Sequence, residues 1–140
     1  MVVTFGTEGR TVGELRDVIR RTGAGCVLDV RLTPGGKEWG ADALPAALPV
    51  PYEHVRELAC RTLPSRLAAG DAPVFVDLPR GLRKASRRFA ETSTVLLLGN
   101  AVDERHDARG WLADGYAREL RGVIVQHDKA ATRPMQESLL

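Results

Sequence analysis

An acidic and a basic side chain close one short apolar segment, and they are the first candidates for chemistry in this chain. Asp29 and Arg31 stand at the end of the run that begins at Cys26, and Pro34 stops the extended segment from continuing. Because strand side chains alternate, Asp29 and Arg31 point to the same face. Arg31 offers a planar fork to phosphate or carboxylate, while Asp29 could orient that fork or act as a base. The alternative is a structural ion pair that ties the strand end to Arg61 or to a helix terminus.

Glycine turns follow two other apolar segments. Gly6 and Thr7 come after the first segment and precede a predicted helix, whose free N–H groups and dipole favour anions. Gly99 and Asn100 end a later segment in the same way. The first turn lacks the spacing of both Gly-x-Gly-x-x-Gly and a Walker loop, so a tight turn without ligand contact is the alternative.

A third group of polar residues falls on a segment that the sequence predicts to be helical. The spacing of His54 and Glu57 lets them share a helix face, with Tyr52 just before them. Histidine can exchange a proton near neutral pH, although a surface or capping role is the alternative. The histidines lie far apart, no His-x3-His spacing occurs, and Cys26 and Cys60 are the only cysteines. We therefore predict no metal site.

The segment Cys60–Arg66 has the Cys-x5-Arg spacing of phosphatase and rhodanese anion loops. In those loops the cysteine follows a strand, and backbone N–H groups wrap an oxyanion. Here the cysteine follows a predicted helical segment, and no glycine permits the wrap. This predicted context therefore favours a packing role for Cys60.

A dense basic run provides the only sequence signal for nucleic acid. Its members are Arg80, Arg83, Lys84, Arg87 and Arg88, of which all but Arg83 lie on one side of a predicted helix and could meet phosphates. No aromatic residues interleave to stack bases, and a solvated helix face is the alternative.

Composition predicts one globular domain without a membrane segment. The chain has 140 residues, of which 44% are hydrophobic, and 20 basic against 18 acidic side chains. This balance is too mild to imply nucleic acid by itself. The longest apolar run, Val95–Leu98, is far too short to span a bilayer. With so few cysteines and no signal-peptide pattern, we expect a reduced, cytoplasmic protein.

Strand and helix signals alternate, which predicts an α/β fold: a three-layer, Rossmann-like open sheet, mostly parallel, of about five strands. A single domain is expected over residues 1–128, with a flexible tail over 129–140. The first unit is a strand Val2–Phe5, a helix opened by the capping box Thr11–Glu14, and a strand Cys26–Val30. The other predicted elements are a short helix Ala41–Leu48, a helix Tyr52–Thr62 broken by Pro64, a turn Ser65–Ala69, a strand Pro73–Pro79, a helix Arg80–Glu91, a strand Val95–Leu98, a helix Asp103–Leu120 and a strand Val123–Val125.

Over its first half the chain resembles the family called domain of unknown function 488. The residues that carry the resemblance are Thr4-Phe5-Gly6-Thr7, Thr11, Leu15, Asp29-Val30-Arg31, Pro34, Tyr52, His54, Glu57-Leu58 and Arg61. Members of that family carry a Thr-Ile-Gly-His-Ser start, a strand ending in Asp-Val-Arg and a later Tyr-x-His-x-x-x-Leu-Gly-Gly segment. The resemblance implies a fold and a site at the strand ends, and it implies no settled activity.

The chain departs from that family at several positions. Thr7 replaces the histidine of the opening motif, and Ala59-Cys60 replaces the paired glycines. Gly99 stands where the family has a cysteine, and Asp107-Ala108-Arg109 stands where it has Cys-His-Arg. In this alignment only Arg109 matches the family motif, as its arginine. If the alignment is shifted slightly, His106 takes the place of the family's histidine.

Three functional hypotheses follow from the sequence. The first is that the crevice at the strand ends binds an anionic small molecule, for example a nucleotide-like one, with the cofactor unknown. In this hypothesis the ligand contacts are Gly6, Thr7, Arg31, Tyr52, Arg61, Gly99, Asn100 and Arg109, and the acid–base groups are Asp29, His54 and Glu57. The second is a nucleic-acid or partner-binding module that uses the Arg80–Arg88 helix. The third is an inactive family member with a regulatory role.

Overall fold

The computed structural model describes residues 1–101, 106–119 and 125–128 of the chain. In chain order the elements are β1 (Val2–Gly6), α1 (Val12–Thr22), β2 (Cys26–Asp29), α2 (Leu44–Ala47), β3 (Tyr52–His54), a 3-10 turn (Arg56–Leu58), α3 (Pro64–Ala68), α4 (Leu78–Glu91), β4 (Val95–Gly99), α5 (Arg109–Glu119) and β5 (Val125–Gln126).

The strands form one parallel sheet in the order β3-β2-β4-β1-β5. Residues of α1 pack on one face, together with the strand residues Phe5 and Leu96. Residues of α4 and α5 pack on the other face, together with Leu28 and Leu97. The predicted three-layer α/β fold with a parallel sheet is therefore confirmed. Among the described residues, no helix combines the length and the apolar character that crossing a bilayer requires.

Local signals set the ends of α1 as predicted. The Thr11 hydroxyl accepts a hydrogen bond from the amide N of Glu14 at 3.1 Å, which caps the helix start. The helix ends at Gly23, whose positive φ of 71° is easily adopted only by glycine. The buried face of α1 consists of Val12, Leu15, Val18 and Ile19. The predicted short helix within 41–48 and the helix ending at Glu91 are also present, as α2 and α4.

The predicted helix Tyr52–Thr62 is wrong. Tyr52–His54 is a strand that pairs with β2, with Tyr52 opposite Val27 and His54 opposite Asp29. A buried β2 edge leaves backbone N–H and C=O groups that require partners, and this requirement outweighs the helical spacing of a short segment. Pro64 begins α3 rather than breaking a helix, because proline suits the first turn.

The predicted strand Pro73–Pro79 is also wrong. Only Phe75 forms a bridge, an isolated antiparallel one with Cys60. The Asp77 carboxylate accepts a hydrogen bond from the amide N of Arg80 at 3.2 Å, and Pro79 lies in the first turn of α4. This cap starts α4 within the predicted strand segment, whose apolar residues had indicated an extended conformation.

The last helix begins later than predicted. The amide N of Arg109 donates to the Asp107 carboxylate at 3.0 Å, and α5 starts at Arg109 rather than at Asp103. The last strand is Val125–Gln126. The predicted parts over residues 103–105, 120, 123–124 and 129–140 lie outside the described residues.

Candidate functional site

A cavity of about 500 Å³ lies beyond the carboxyl ends of the central strands. Each of these strands contributes residues at or just beyond its end: Glu8 after β1, residues 30–32 after β2, and the last residue of β4, Gly99, with residues 100–101 after it. The rest of the wall consists of Leu58, Cys60, Thr62, Pro64, Leu67 and residues 106–108. This is the edge of a parallel sheet where ligands bind. The candidate site is therefore at the sheet edge that the sequence predicted.

Asp29 is completely buried and is held by four donors. Its Oδ1 accepts from the backbone N of Arg31 at 3.0 Å and from the Nε of Arg31 at 2.9 Å. Its Oδ2 accepts from Arg31 Nη2 at 2.7 Å and from the hydroxyl of Tyr52. Asp29 is absent from the cavity wall, so its geometry suits positioning of Arg31 rather than contact with a ligand.

Arg31 lines the cavity although its side chain is only 2% exposed. Its Nη2 also donates to the backbone oxygen of Trp39 at 2.6 Å, and its own backbone oxygen contacts His54 Nε2 at 2.7 Å. Nε and Nη2 are thus both engaged by protein, and within the described part of the chain Nη1 has no hydrogen-bond partner. Arg31 is a fixed guanidinium with one edge left for a ligand.

Burial raises the pKa of the Tyr52 hydroxyl, and its hydrogen bond to Asp29 raises that pKa further. The hydroxyl therefore remains a donor to Asp29 through the alkaline range. Tyr52 and His54 both act on the Asp29–Arg31 pair from β3, one at the carboxylate and one at the backbone. Neither residue lies in the cavity wall.

A second arginine–carboxylate system lies at the start of α5. Arg109 is completely buried, and its Nη1 donates to the Ala101 backbone oxygen at 2.6 Å and to the Asp107 carboxylate. The Asp107 carboxylate also accepts hydrogen bonds from the amide N of Ala101 at 3.2 Å and from the amide N of Arg109 at 3.0 Å. Burial raises the pKa of Asp107, against the opposing effect of Arg109. Asp107 lines the cavity, whereas Arg109 does not.

Asp128 joins this system to β1. Its Oδ2 lies 3.5 Å from Arg109 Nη2 and 2.6 Å from Arg10 Nη1, and it accepts from the amide N of Gly6 at 2.9 Å. The amide N of Asp128 donates to the hydroxyl of Thr4 at 2.9 Å. The carboxylate that follows β5 is therefore a structural link between the first strand and the start of the last described helix.

Glycine is required at two of the predicted ligand contacts for steric reasons. A Cβ on Gly6 would lie 2.0 Å from the Ala101 oxygen, and one on Gly99 would lie 2.5 Å from Asp107 Oδ2. Gly99 lines the cavity as expected, together with the exposed Asn100. Gly6 lies against the ion-pair system instead. Thr7 is buried outside the cavity wall, and its amide N donates to the Gly99 oxygen at 3.0 Å.

Two further candidate residues are not brought to the cavity. Glu57 Oε2 lies 2.5 Å from Lys84 Nζ and 3.6 Å from Arg80 Nε. The hydrogen bond from Lys84 lowers the pKa of Glu57, so this carboxylate is an ionised anchor for α4. Arg61 is exposed and outside the cavity wall, and its amide N donates to the Val74 oxygen at 2.6 Å.

The cavity also contains residues that the candidate set missed. Glu8, Cys60, His106 and Asp107 all line it. For Asp107 a signal was present, because Asp107-Ala108-Arg109 repeats the spacing of Asp29-Val30-Arg31. For Cys60 the wrong secondary structure hid the signal. Within the described ranges, no group of three or more metal-ligating side chains is arranged to hold a metal ion.

Comparisons of the chain with protein-family models, with curated proteins and with solved structures give no match.

Proposed function

We propose that this chain binds a small molecule carrying an anionic group in the cavity at the carboxyl ends of β1, β2 and β4. The observation that carries the proposal is Arg31, a buried residue of the cavity wall whose guanidinium is fixed by hydrogen bonds to Asp29 and Trp39. Asp29 and Trp39 hold it rigidly, so binding an anion at Nη1 costs little side-chain entropy. A charge-assisted hydrogen bond from Nη1 would orient a carboxylate or phosphate.

The remaining wall supports a ligand with an apolar part. Leu32, Leu58, Pro64 and Leu67 contribute aliphatic surface, and Asn100 and Thr62 add neutral polar groups. A cavity with few polar groups among apolar ones is typical of small-molecule sites. Cys60 and His106 add a thiol and an imidazole to the wall, which together with the carboxylates of Glu8 and Asp107 are candidate acid–base or nucleophilic groups.

Nucleic-acid binding by the basic helix has less support. Three of its five cations are engaged by carboxylates: Arg80 and Lys84 by Glu57, and Arg88 by Glu53 at 3.0 Å. These side chains attach α4 to the segment around β3. Only Arg83 and Arg87 remain exposed and unpaired within the described residues. Two exposed charges release few counterions, so we expect weak binding at most, with only a shallow dependence on salt concentration.

A thermal-shift screen with orthophosphate, nucleotides, sugar phosphates and short carboxylates tests the proposal. We expect a hit that stabilises the wild type and loses at least about tenfold in affinity, about 1.4 kcal/mol, in Arg31→Lys, which keeps the charge but lacks the fork. The matched control is Arg61→Ala, which removes an arginine that borders the cavity segment without lining it. Equal losses in both variants, or no hit in the panel, would contradict the proposal.

Cysteine alkylation locates the ligand without any substitution. Cys60 lines the cavity and is partly exposed, whereas Cys26 is buried in β2 and burial raises its pKa to about 11. A ligand in the cavity should slow the reaction of Cys60 with iodoacetamide and leave the slow reaction of Cys26 unchanged. Stabilisation by a ligand without protection of Cys60 would move the site elsewhere.

We further propose membership of the domain of unknown function 488 family and a cytoplasmic location. The first rests on the residues quoted above, including the Asp29-Val30-Arg31 strand end. The second is supported by Cys26 and Cys60, both of which are free thiols.

A further inference from the structure

The charges around the cavity do not favour an anion alone. Three arginines and five carboxylates belong to the cavity wall or to the ion pairs connected to it in the described residues: Arg10, Arg31, Arg109, Glu8, Glu14, Asp29, Asp107 and Asp128. Each arginine is already matched by at least one carboxylate. A ligand that brings only negative charge would therefore enter a region with a small excess of negative charge.

The two ion-pair systems present opposite charges to the cavity. At the β2 end Arg31 belongs to the wall and its partner Asp29 does not. At the α5 end the carboxylate of Asp107 lines the wall, with its side chain 19% exposed, while its partner Arg109 is completely buried. Glu8 adds a second carboxylate to the wall, and no cationic side chain among the described residues forms an ion pair with it.

We propose that the ligand is a zwitterion of the amino-acid class, with a carboxylate at Arg31, an ammonium group at Glu8 and Asp107, and an apolar side chain against the leucines of the wall. This inference rests on the proposed function and adds the cationic group to it. Burial leaves the ionised form of Asp107 poorly compensated despite Arg109, and an ammonium group nearby would supply the missing positive charge.

Three molecules that share an isobutyl group test the inference. Leucine carries both charges, 4-methylpentanoate lacks the ammonium group, and 3-methylbutylamine lacks the carboxylate. Isothermal titration of the full chain with each should show leucine binding at least about tenfold more tightly than either analogue. The Glu8→Gln and Asp107→Asn variants should reduce that preference, and the exposed Glu38→Gln, outside the cavity wall, should leave it unchanged.

The outcomes separate this inference from the proposed function. If 4-methylpentanoate or an anion of the thermal-shift panel binds through Arg31 and leucine binds no better, the zwitterion is excluded and anion binding stands. A leucine preference that persists in both Glu8→Gln and Asp107→Asn excludes these carboxylates as the ammonium site. If no anion and no amino acid protects Cys60 or stabilises the chain, both proposals fail.

Discussion

The two Asp-x-Arg segments at the sheet edge use the same local contacts with opposite results. In both, the aspartate accepts from the arginine backbone N at 3.0 Å, and the guanidinium reaches a backbone oxygen at 2.6 Å. At the β2 end the carboxylate is sealed by Tyr52 and the guanidinium meets the cavity. At the α5 end the guanidinium is sealed beneath Gly6 and Gly99 and the carboxylate meets the cavity. Burial of one partner therefore decides which residue of the Asp-x-Arg pair meets the cavity.

Replacing Arg31 with Met should cause the largest loss of stability. Asp29 is completely buried and no second cation pairs with it in the described residues, so its charge would lose its compensation. We expect the free energy of unfolding, measured by urea denaturation at neutral pH, to fall by about 3–5 kcal/mol. A loss below that of Arg109→Met would contradict the comparison.

Replacing Arg109 with Met should cost less, about 2 kcal/mol. Asp128 keeps Arg10 and the amide of Gly6 as partners, and Asp107 is partly exposed to solvent through the cavity. Urea denaturation under the same conditions measures the difference. The double variant Arg109→Met/Asp107→Asn should recover part of the loss, because the unpaired charge is then removed. A double variant less stable than Arg109→Met would show that the charge is not the cause.

Tyr52→Phe measures how much the Tyr52 hydroxyl stabilises the ion pair at the β2 end. It removes the hydroxyl that donates to Asp29 and leaves the three contacts from Arg31 in place. We expect a loss of about 1.5 kcal/mol, since hydrogen bonds to charged groups are stronger than neutral ones. Because Tyr116 lies far along the chain in α5, Tyr116→Phe provides a matched hydroxyl deletion. A loss in Tyr52→Phe that depends on Arg31 being present, in a double-mutant cycle, would confirm coupling through Asp29.

The smallest effect is expected at the partly exposed pair of Glu57 and Lys84, which provides a baseline for both buried systems. The folded-state pKa of Glu57 lies below its ordinary value of 4.5, so the unfolded chain binds more protons in this range. The stabilisation is therefore fully present above that ordinary value and is lost as the pH falls through the lower, folded-state pKa. Glu57→Gln should cost about 0.5–1 kcal/mol at neutral pH and nothing in strong acid, with Glu38→Gln unaffected. A cost that persists in strong acid would mean packing rather than charge.

Several parts of the fold could be predicted from the sequence because their signals are local. The Thr11–Glu14 cap, the terminating Gly23 and the apolar spacing of α1 each act within a few residues. The alternation of apolar strands with amphipathic helices was sufficient to predict the α/β sheet. It was also sufficient to predict the edge of that sheet, at the carboxyl ends of the strands, where Asp29, Arg31, Gly99 and Asn100 lie. These predictions succeed because hydrogen-bonding and burial patterns repeat with the period of the element.

Tertiary structure alone decided the rest. Tyr52–His54 became a strand because β2 lacked a partner on that side, and this change removed Glu57 from the cavity and placed Cys60 on its wall. The sequence determined the Asp-x-Arg spacing that both segments share, which lets each arginine pair locally with its aspartate. Which member of each pair meets the cavity depended on what packs over it: the Tyr52 hydroxyl on Asp29, and the close backbone of Gly6, Gly99 and Ala101 on Arg109. Those contacts join residues far apart in the chain, so no local spacing can specify them.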